Sequence, residues 1–256
     1  MTSTSRGSTA LKTSDVSWHV GGVQILRDIS LDIHEGELVS VIGPNGAGKS
    51  SLINVISGIA RPQEGSIELH GVDITRRKTS ARARLGLARS FQTSSLFLGL
   101  DVLENVRLAA QARLGGSASL FRRPSRTDEA TRTSLDSLER VGLVDRSSTL
   151  ASDLSHGDKR KLELALILVQ EPSVVLLDEP TAGAAAEDVD SMVDLIQDIH
   201  RAGATVLMVE HRVEMVARIS DRIAVMHDGR MLTMDAPSIV LADPLVRQAY
   251  LGVEVA

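Results

Sequence analysis

The stretch GPNGAGKS, residues 43–50, decides how the rest of the chain is interpreted. It continues the apolar run ELVSVIG and leads into KSSLINVISGI, whose apolar spacing predicts a helix packed on a sheet. Strand, glycine loop and helix in this order match the phosphate-binding pattern G-x-x-x-x-G-K-[ST]. Average residue frequencies give a chance match in a chain of this length with a probability on the order of 1%. We therefore predict a phosphate site rather than an ordinary glycine turn.

The chemistry of this loop suggests a role for each residue type. Gly43, Gly46 and Gly48 let backbone N–H groups converge on phosphate oxygens, and the helix that begins near Lys49 adds the positive end of its dipole. Lys49 is expected to reach the β- and γ-phosphates, and Ser50 to offer its hydroxyl to Mg²⁺. The other positions that we assign to nucleotide contact are Pro44, Asn45, Ala47 and Ser51.

Composition limits the class of protein. A chain of 256 residues with 43% apolar residues can bury one substantial core, in one elaborated domain or two small ones. Cysteine is absent, which excludes disulfides and thiolate metal clusters. The net charge of −5 and the scattered arginines argue against a broad nucleic-acid surface. Since no run approaches the roughly 20 apolar residues of a membrane span, any membrane role is expected to depend on a partner.

Hydrophobic patterning divides the chain into regions. Residues 1–10 are polar and are expected to form a flexible tail rather than a signal peptide. Short β-type runs between 11 and 69 predict antiparallel strands beside a central strand, and residues 93–170 predict helices inserted into this unit. Beyond residue 170, continuous apolar strands alternate with amphipathic helices, which predicts a parallel sheet covered on both faces. Ligands of such sheets bind at the carboxyl ends of the strands.

Two further motifs fit a nucleotide site. VVLLDE, residues 174–179, places Asp178 and Glu179 at the end of a buried strand, where Asp178 can hold Mg²⁺ through water and Glu179 can polarise the attacking water. Without the phosphate loop, the simpler interpretation of this pair is two solvated acids at the end of a strand. The presence of the phosphate loop makes a nucleotide site the preferred interpretation. LSHGD, residues 154–158, opens a predicted helix with Ser155 as its N-cap.

The phosphate loop, LSHGD and VVLLDEPTAG, in this order and spacing, resemble the ATP-binding subunit of an ABC transporter over about residues 11–252. The resemblance implies an α/β fold with a P-loop NTPase (RecA-like) core, an antiparallel β subdomain and a helical insertion subdomain. It implies a nucleotide-binding domain at 11–235, with the helical part at about 93–170, and a C-terminal extension at 236–256.

The same resemblance suggests roles for further residues. LSHGD is similar to the family's signature motif, with His156 in place of a glycine, and Ser155 and Gly157 are carried over as nucleotide contacts. Gln92 resembles the Q-loop glutamine, which contacts Mg²⁺ and the attacking water. His211 resembles the switch histidine, which contacts the γ-phosphate and orients the catalytic glutamate. By themselves, a lone glutamine and a loop histidine are ordinary surface residues.

Two positions depart from the family pattern. The aromatic residue that stacks on adenine falls near Val20, which offers no stacking surface, so either Val20 or Trp18 is expected to contact adenine, with a core role as the alternative for Trp18. The loop after EPTAG reads Ala184, Ala185, Ala186 where the family carries a polar or acidic residue. Weaker coupling between two ATP sites is the expected consequence.

The resemblance implies ATP and Mg²⁺ as cofactors and a second ATP-binding subunit, identical or paralogous, because one phosphate loop and one signature cannot complete a site. It implies two transmembrane permease subunits, indirectly a substrate-binding protein, no nucleic acid, and a location at the cytoplasmic face of the membrane. Stretches such as RSFQTSSLF and DPLVRQAYLG are most similar to importers of branched-chain amino acids. The alternatives are urea, amide or lipid transport, a soluble ABC ATPase without a transport role, and a P-loop kinase or GTPase.

Overall fold

The computed structural model describes residues 7–90, 96–114, 128–183 and 186–250, with side chains except at 186–188 and 248–250. The strands in these ranges are β1 (Thr9–Val20), β2 (Val23–His34), β3 (Leu38–Ile42), β4 (Glu64–Leu69), β5 (Val72–Asp73), β6 (Leu87–Arg89), β7 (Val174–Asp178), β8 (Thr205–Val209), β9 (Arg222–His227) and β10 (Arg230–Asp235). The helices are α1 (Lys49–Ser57), α2 (Thr79–Arg84), α3 (Val102–Arg113), α4 (Glu129–Arg140), α5 (His156–Leu168), α6 (Ala186–Arg201), α7 (Val213–Ile219), α8 (Pro237–Ala242) and α9 (Pro244–Tyr250).

The chain divides into two compact units. The first contains residues 1–89, 173–179 and 200–256, and the second contains 90–172 and 180–199. The helical block predicted at 93–170 falls in the second unit, which also includes most of α6. No described helix has both the length and the apolar character needed to cross a membrane.

The first unit holds two sheets. One is antiparallel, with strand order β2-β1-β4-β5, as the short β-type runs predict. The other has strand order β10-β9-β3-β8-β7-β6, and all its neighbouring strands are parallel except β10 and β9. Every residue of β3, β7 and β8 is buried, which matches their continuous apolar sequence. Because these strands run in one direction, their carboxyl ends share one edge of the sheet.

A hydrophobic core cluster contains side chains from both sheets and from α1. It includes Val16 and Ile67 from the antiparallel sheet and Val41 and Val209 from the parallel sheet. Helix α1 contributes Leu52, Ile53, Val55 and Ile56, all with no exposed surface. Each such side chain contributes about 1.5–3 kcal/mol by burial, so the helix that follows the glycine loop is held firmly in place.

The carboxyl end of α1 is anchored by a buried arginine of α2. Arg82 is 1% exposed. Its Nη1 donates to the backbone carbonyls of Val55 and Ile56 at 2.8 and 2.6 Å, and its Nη2 donates to that of Thr75 at 3.0 Å. Gly58, which ends α1 with φ of 82°, has no Cβ to collide with this guanidinium: a Cβ there would lie 2.8 Å from Arg82 Nε. Arg82 therefore adds charged donors to the carbonyl groups of Val55 and Ile56 in the last turn of the helix, where few backbone N–H partners remain.

Helices α3, α4 and α5 pack against one another in the second unit. Each begins at a side chain that accepts a backbone N–H bond: Asp101 from Glu104 at 2.6 Å, and Asp128 from Thr131 at 2.7 Å. Ser155 caps α5 in the same way, as the sequence predicts, and accepts the N–H of Asp158 at 3.1 Å. These caps fix where the helices start.

Candidate functional site

The glycine loop lies between β3 and α1, at the carboxyl edge of the parallel sheet. Gly43 and Gly48 have positive φ values of 154° and 97°. A Cβ on Gly43 would lie 2.1 Å from the carbonyl oxygen of Met226, and one on Gly48 would lie 3.1 Å from that of Ile25. Both positions therefore require glycine, for the backbone conformation and for the close approach of neighbouring strands.

A cleft of about 310 Å³ opens over this loop. Its lining consists of Ile25, Asn45, Gly46, Ala47, Gly48, Lys49, Ser50, Ser51 and Glu179. Seven of these nine residues belong to the loop and the first turn of α1, which sequence reasoning assigned to nucleotide contact. Ile25 was missed, because it comes from β2 and nothing in its local sequence indicates a binding role.

Lys49 lies folded over the loop. Its Nζ donates to the carbonyl oxygens of Gly43 at 2.7 Å and Pro44 at 3.0 Å, and the residue is 7% exposed. Burial lowers the pKa of Lys49, whereas the carboxylates of Glu179 and Asp178 oppose this effect. The ammonium group is thus held at the cleft by neutral carbonyl groups and by the field of two acids.

Asp178 ends β7 and is 1% exposed. Its Oδ1 accepts a hydrogen bond from Ser50 Oγ at 3.2 Å, and its Oδ2 accepts one from Arg89 Nη2 at 3.1 Å. Two of the three residues predicted to hold Mg²⁺, which are 128 positions apart in the sequence, are therefore in contact. Arg89 was not among the predicted residues, although a single arginine beside the buried residues of β6 is a signal that could have found it.

Glu179 follows directly and lines the cleft. Its backbone has φ of 48°, a left-handed conformation that is uncommon for a residue other than glycine. Its N–H donates to the carbonyl oxygen of Val209, the last residue of β8, at 2.9 Å. This bond holds the strained position in place and brings Glu179 beside the segment that carries His211.

His211 follows β8, and 53% of its side chain is exposed. The side chain of Glu210 is fully buried and its Oε2 accepts the backbone N–H of His211 at 2.9 Å. The same oxygen lies 3.5 Å from His211 Nδ1. Glu210, which sequence reasoning missed, therefore fixes both the backbone and one side of the imidazole of His211.

The two candidates for adenine contact differ in their surroundings. Trp18 is partly buried and packs against the core of the first unit, whereas Val20 is 50% exposed at the end of β1. This placement favours the core role for Trp18. Val20 pairs with Val23, which is 60% exposed.

The remaining predicted residues lie in the second unit or outside the described ranges. Ser155 and Gly157 form the start of α5, where the Ser155 hydroxyl accepts an N–H bond and keeps its own hydrogen available for donation. The imidazole of His156 lies next to Gly183, where a Cβ would be 3.2 Å from His156 Nε2. Gln92, Ala184 and Ala185 lie outside the described residues.

A glycine loop between a central strand and a buried helix, with Asp178 beside Ser50 at the same sheet edge, defines the class of protein: a P-loop NTPase. Comparison with known proteins narrows the class further. The family model for "ABC transporter" matches residues 26–182. The chain belongs to this family, and it is an ATP-binding cassette with ATPase activity of the ABC type.

Individual relatives cover nearly the whole chain. LivG of Salmonella typhimurium, a high-affinity branched-chain amino acid transport ATP-binding protein, is 34% identical over 94% of this chain and 97% of its own length. BraF of Pseudomonas aeruginosa, of the same description, is also 34% identical, with the same coverage. LptB of Acidithiobacillus ferridurans, a lipopolysaccharide export system ATP-binding protein, is 36% identical over 89% of this chain and 90% of its own length.

Solved structures agree with this assignment. The ADP conformation of MJ1267, an ATP-binding cassette of an ABC transporter, aligns with a TM-score of 0.83 and 27% identity over 96% of this chain and 99% of that one. The cbiO1 subunit of an ABC transporter complex from Clostridium perfringens aligns with a TM-score of 0.79 and 28% identity, covering 95% of each chain. The predicted fold class is confirmed.

Proposed function

We propose that this chain binds Mg·ATP in the cleft above residues 45–51 and hydrolyses it to drive a membrane importer of branched-chain amino acids. The observation that carries the proposal is the 3.2 Å contact between Ser50 Oγ and Asp178 Oδ1 beside the phosphate loop. It supports a shared metal site, since the two groups are 128 residues apart in sequence.

The residues at this contact suit Mg²⁺. The metal prefers oxygen ligands, keeps several waters, and is usually bound through one or two carboxylates together with substrate phosphates. The Ser50 hydroxyl and the Asp178 carboxylate supply such oxygens, and Gln92 is a further proposed contact. When bound, Mg²⁺ would neutralise part of the charge on the phosphates.

Groups of the protein itself bind the phosphates and activate the attacking water in this proposal. Backbone N–H groups of the loop and the amino end of α1 hold the phosphates. The Lys49 ammonium exchanges the carbonyls of Gly43 and Pro44 for phosphate oxygens. Glu179 polarises the attacking water, and His211, held by Glu210, donates to the terminal phosphate.

A second ATP-binding subunit completes the site. In the proposed pair, the start of α5 from one subunit faces the phosphate loop of the other. The Ser155 hydroxyl donates to the terminal phosphate, because capping α5 uses only its acceptor capacity, and Gly157 offers a backbone N–H. Val20, exposed at the end of β1, is the proposed adenine contact.

The cargo assignment rests on LivG and BraF, whose descriptions name branched-chain amino acid transport. We place the chain at the cytoplasmic face of a membrane, bound to two permease subunits and served by a substrate-binding protein. Lipid transport is the second candidate, favoured by the 36% identity to LptB. Leucine uptake by vesicles that contain the chain with its co-purified permease supports the first assignment, and lipid movement without leucine uptake supports the second.

The pairing of subunits can be tested with Glu179→Gln, which keeps the shape of the side chain and removes its carboxylate. We expect this variant to bind Mg·ATP, lose hydrolysis and elute as a dimer in size-exclusion chromatography with light scattering. Lys49→Ala in the same background is the control, because it removes a phosphate contact and should stay monomeric. A Glu179→Gln protein that remains monomeric at saturating Mg·ATP would falsify the shared site.

A further inference from the structure

Arg89, the last residue of β6, reaches three polar groups with one guanidinium. Its Nη2 donates to Asp178 Oδ2 at 3.1 Å, and its Nη1 donates to Asn54 Oδ1 at 2.7 Å and to Ser57 Oγ at 2.9 Å. The Arg89 side chain is 9% exposed and that of Asp178 is fully buried. The arginine thus connects the end of β7 to the second and third turns of α1.

These contacts neutralise the Asp178 carboxylate and fix its orientation. A buried carboxylate without a counter-ion is strongly destabilising, whereas one in a hydrogen-bonded ion pair is tolerated. Arg89 binds Oδ2, and Oδ1 accepts from Ser50. Because Asn54 and Ser57 hold the guanidinium from the other side, the plane of the Asp178 carboxylate is fixed with Oδ1 toward Ser50.

We propose that Arg89 is the resident counter-ion of Asp178: it neutralises and orients this carboxylate before nucleotide binds, and it moderates the affinity of the site for Mg²⁺. This inference rests on the proposed function. Arg89 is a positioning residue in it, since it acts on the metal through Asp178.

The expected effect on metal binding follows from the charges. A dication held beside the Asp178 carboxylate is attracted by Asp178 and repelled by Arg89. At short range in a protein interior this repulsion is large enough to change affinity by about tenfold or more. Removing the positive charge should therefore tighten Mg²⁺ binding while it weakens the protein without ligand.

The experiment compares Arg89→Met, Asp178→Asn and the double variant with the wild type. The melting temperature of each protein is measured without nucleotide, and then with saturating ADP over a series of MgCl₂ concentrations. The Mg²⁺ concentration that gives half of the metal-dependent rise in melting temperature is the half-saturating concentration. For Arg89→Met we expect a lower melting temperature without ligand and a half-saturating Mg²⁺ concentration about tenfold lower. Asp178→Asn in the Arg89→Met background should raise the melting temperature again and abolish the metal step, because the buried carboxylate that lost its guanidinium partner is replaced by a neutral amide.

Two control variants separate charge from packing. Arg89→Lys keeps the charge but not the fork geometry, so its metal half-saturation should stay near that of the wild type while its melting temperature falls. Arg84→Met removes an exposed arginine of α2 and should change neither quantity.

Several outcomes decide the proposal. Equal or weaker Mg²⁺ binding by Arg89→Met overturns it, as do purely additive melting temperatures in the cycle. If Arg89→Met alone yields no folded protein, folding of the double variant supports the counter-ion role and failure of the double variant refutes it. If the melting temperature of the wild type does not change with Mg²⁺, the proposed metal site is refuted instead. The melting temperatures of the wild type, the two single variants and the double variant without ligand then decide whether Arg89 is the counter-ion of Asp178.

Discussion

Replacing Arg82 with methionine tests how the phosphate-loop helix is anchored. Methionine keeps most of the volume but removes the donors to the carbonyls of Val55, Ile56 and Thr75. Hydrogen bonds to charged groups contribute about 1.5–3 kcal/mol each, and the cost of burying the guanidinium offsets part of their sum. We therefore expect a loss of about 3–5 kcal/mol in the free energy of unfolding, which is a large fraction of the stability of a typical domain.

Urea unfolding followed by circular dichroism measures this loss directly. Arg84→Met is the matched control, because Arg84 lies on the same helix with an exposed side chain, and a change within about 0.5 kcal/mol is expected for it. ADP affinity should also fall in Arg82→Met, since α1 carries Lys49 and Ser50 at its other end. An Arg82→Met protein whose free energy of unfolding lies within about 1 kcal/mol of the wild-type value would refute the anchoring role.

Two further changes are expected to have defined effects. Val20→Tyr should raise ATP affinity about fivefold in isothermal titration, because a stacked ring contributes about 1 kcal/mol, and unchanged affinity would remove Val20 from the adenine site. Burial by itself raises the pKa of Glu37. The hydrogen bonds from Arg222 and from the His34 backbone, together with the charge of Arg222, have a larger effect and lower this pKa below the usual 4.5. Its stabilisation is therefore present above pH 4.5 and lost as the pH falls through the folded-state value. Glu37→Gln should cost about 1.5–3 kcal/mol at pH 7 in urea unfolding and progressively less as the pH is lowered below 4.5, and a difference that does not depend on pH would contradict this.

The parts of the molecule that the sequence predicts well are those with a local signal. The glycine loop sits between an apolar strand and an amphipathic helix, and Ser155 precedes its helix as a cap. The strand that ends at Asp178 is a continuous apolar run, which is typical of a parallel sheet. In each case the local structure depends on neighbours within a few residues.

Other features depend on contacts between distant segments, and no local pattern reports them. Arg89 meets Asn54 and Asp178, which lie 35 and 89 residues away. Ile25 reaches the cleft from the antiparallel sheet, and Arg82, within the charged segment TSARAR, is fully buried although such a segment normally forms a solvated surface. Whether Trp18 packs in the core or contacts adenine could be decided only from its tertiary contacts, because both roles suit an aromatic residue on a strand.

The central claim is that backbone N–H groups of the loop grip the phosphates of a nucleotide. Amide nitrogen–proton NMR spectra of the isotopically labelled chain, recorded with and without ADP, test it most directly. We expect the amide signals of Gly46, Gly48, Lys49 and Ser50 to shift on ADP addition more than those of α4. Unchanged signals for these four amides in a sample that binds ADP would contradict it, because the nucleotide would then be held elsewhere.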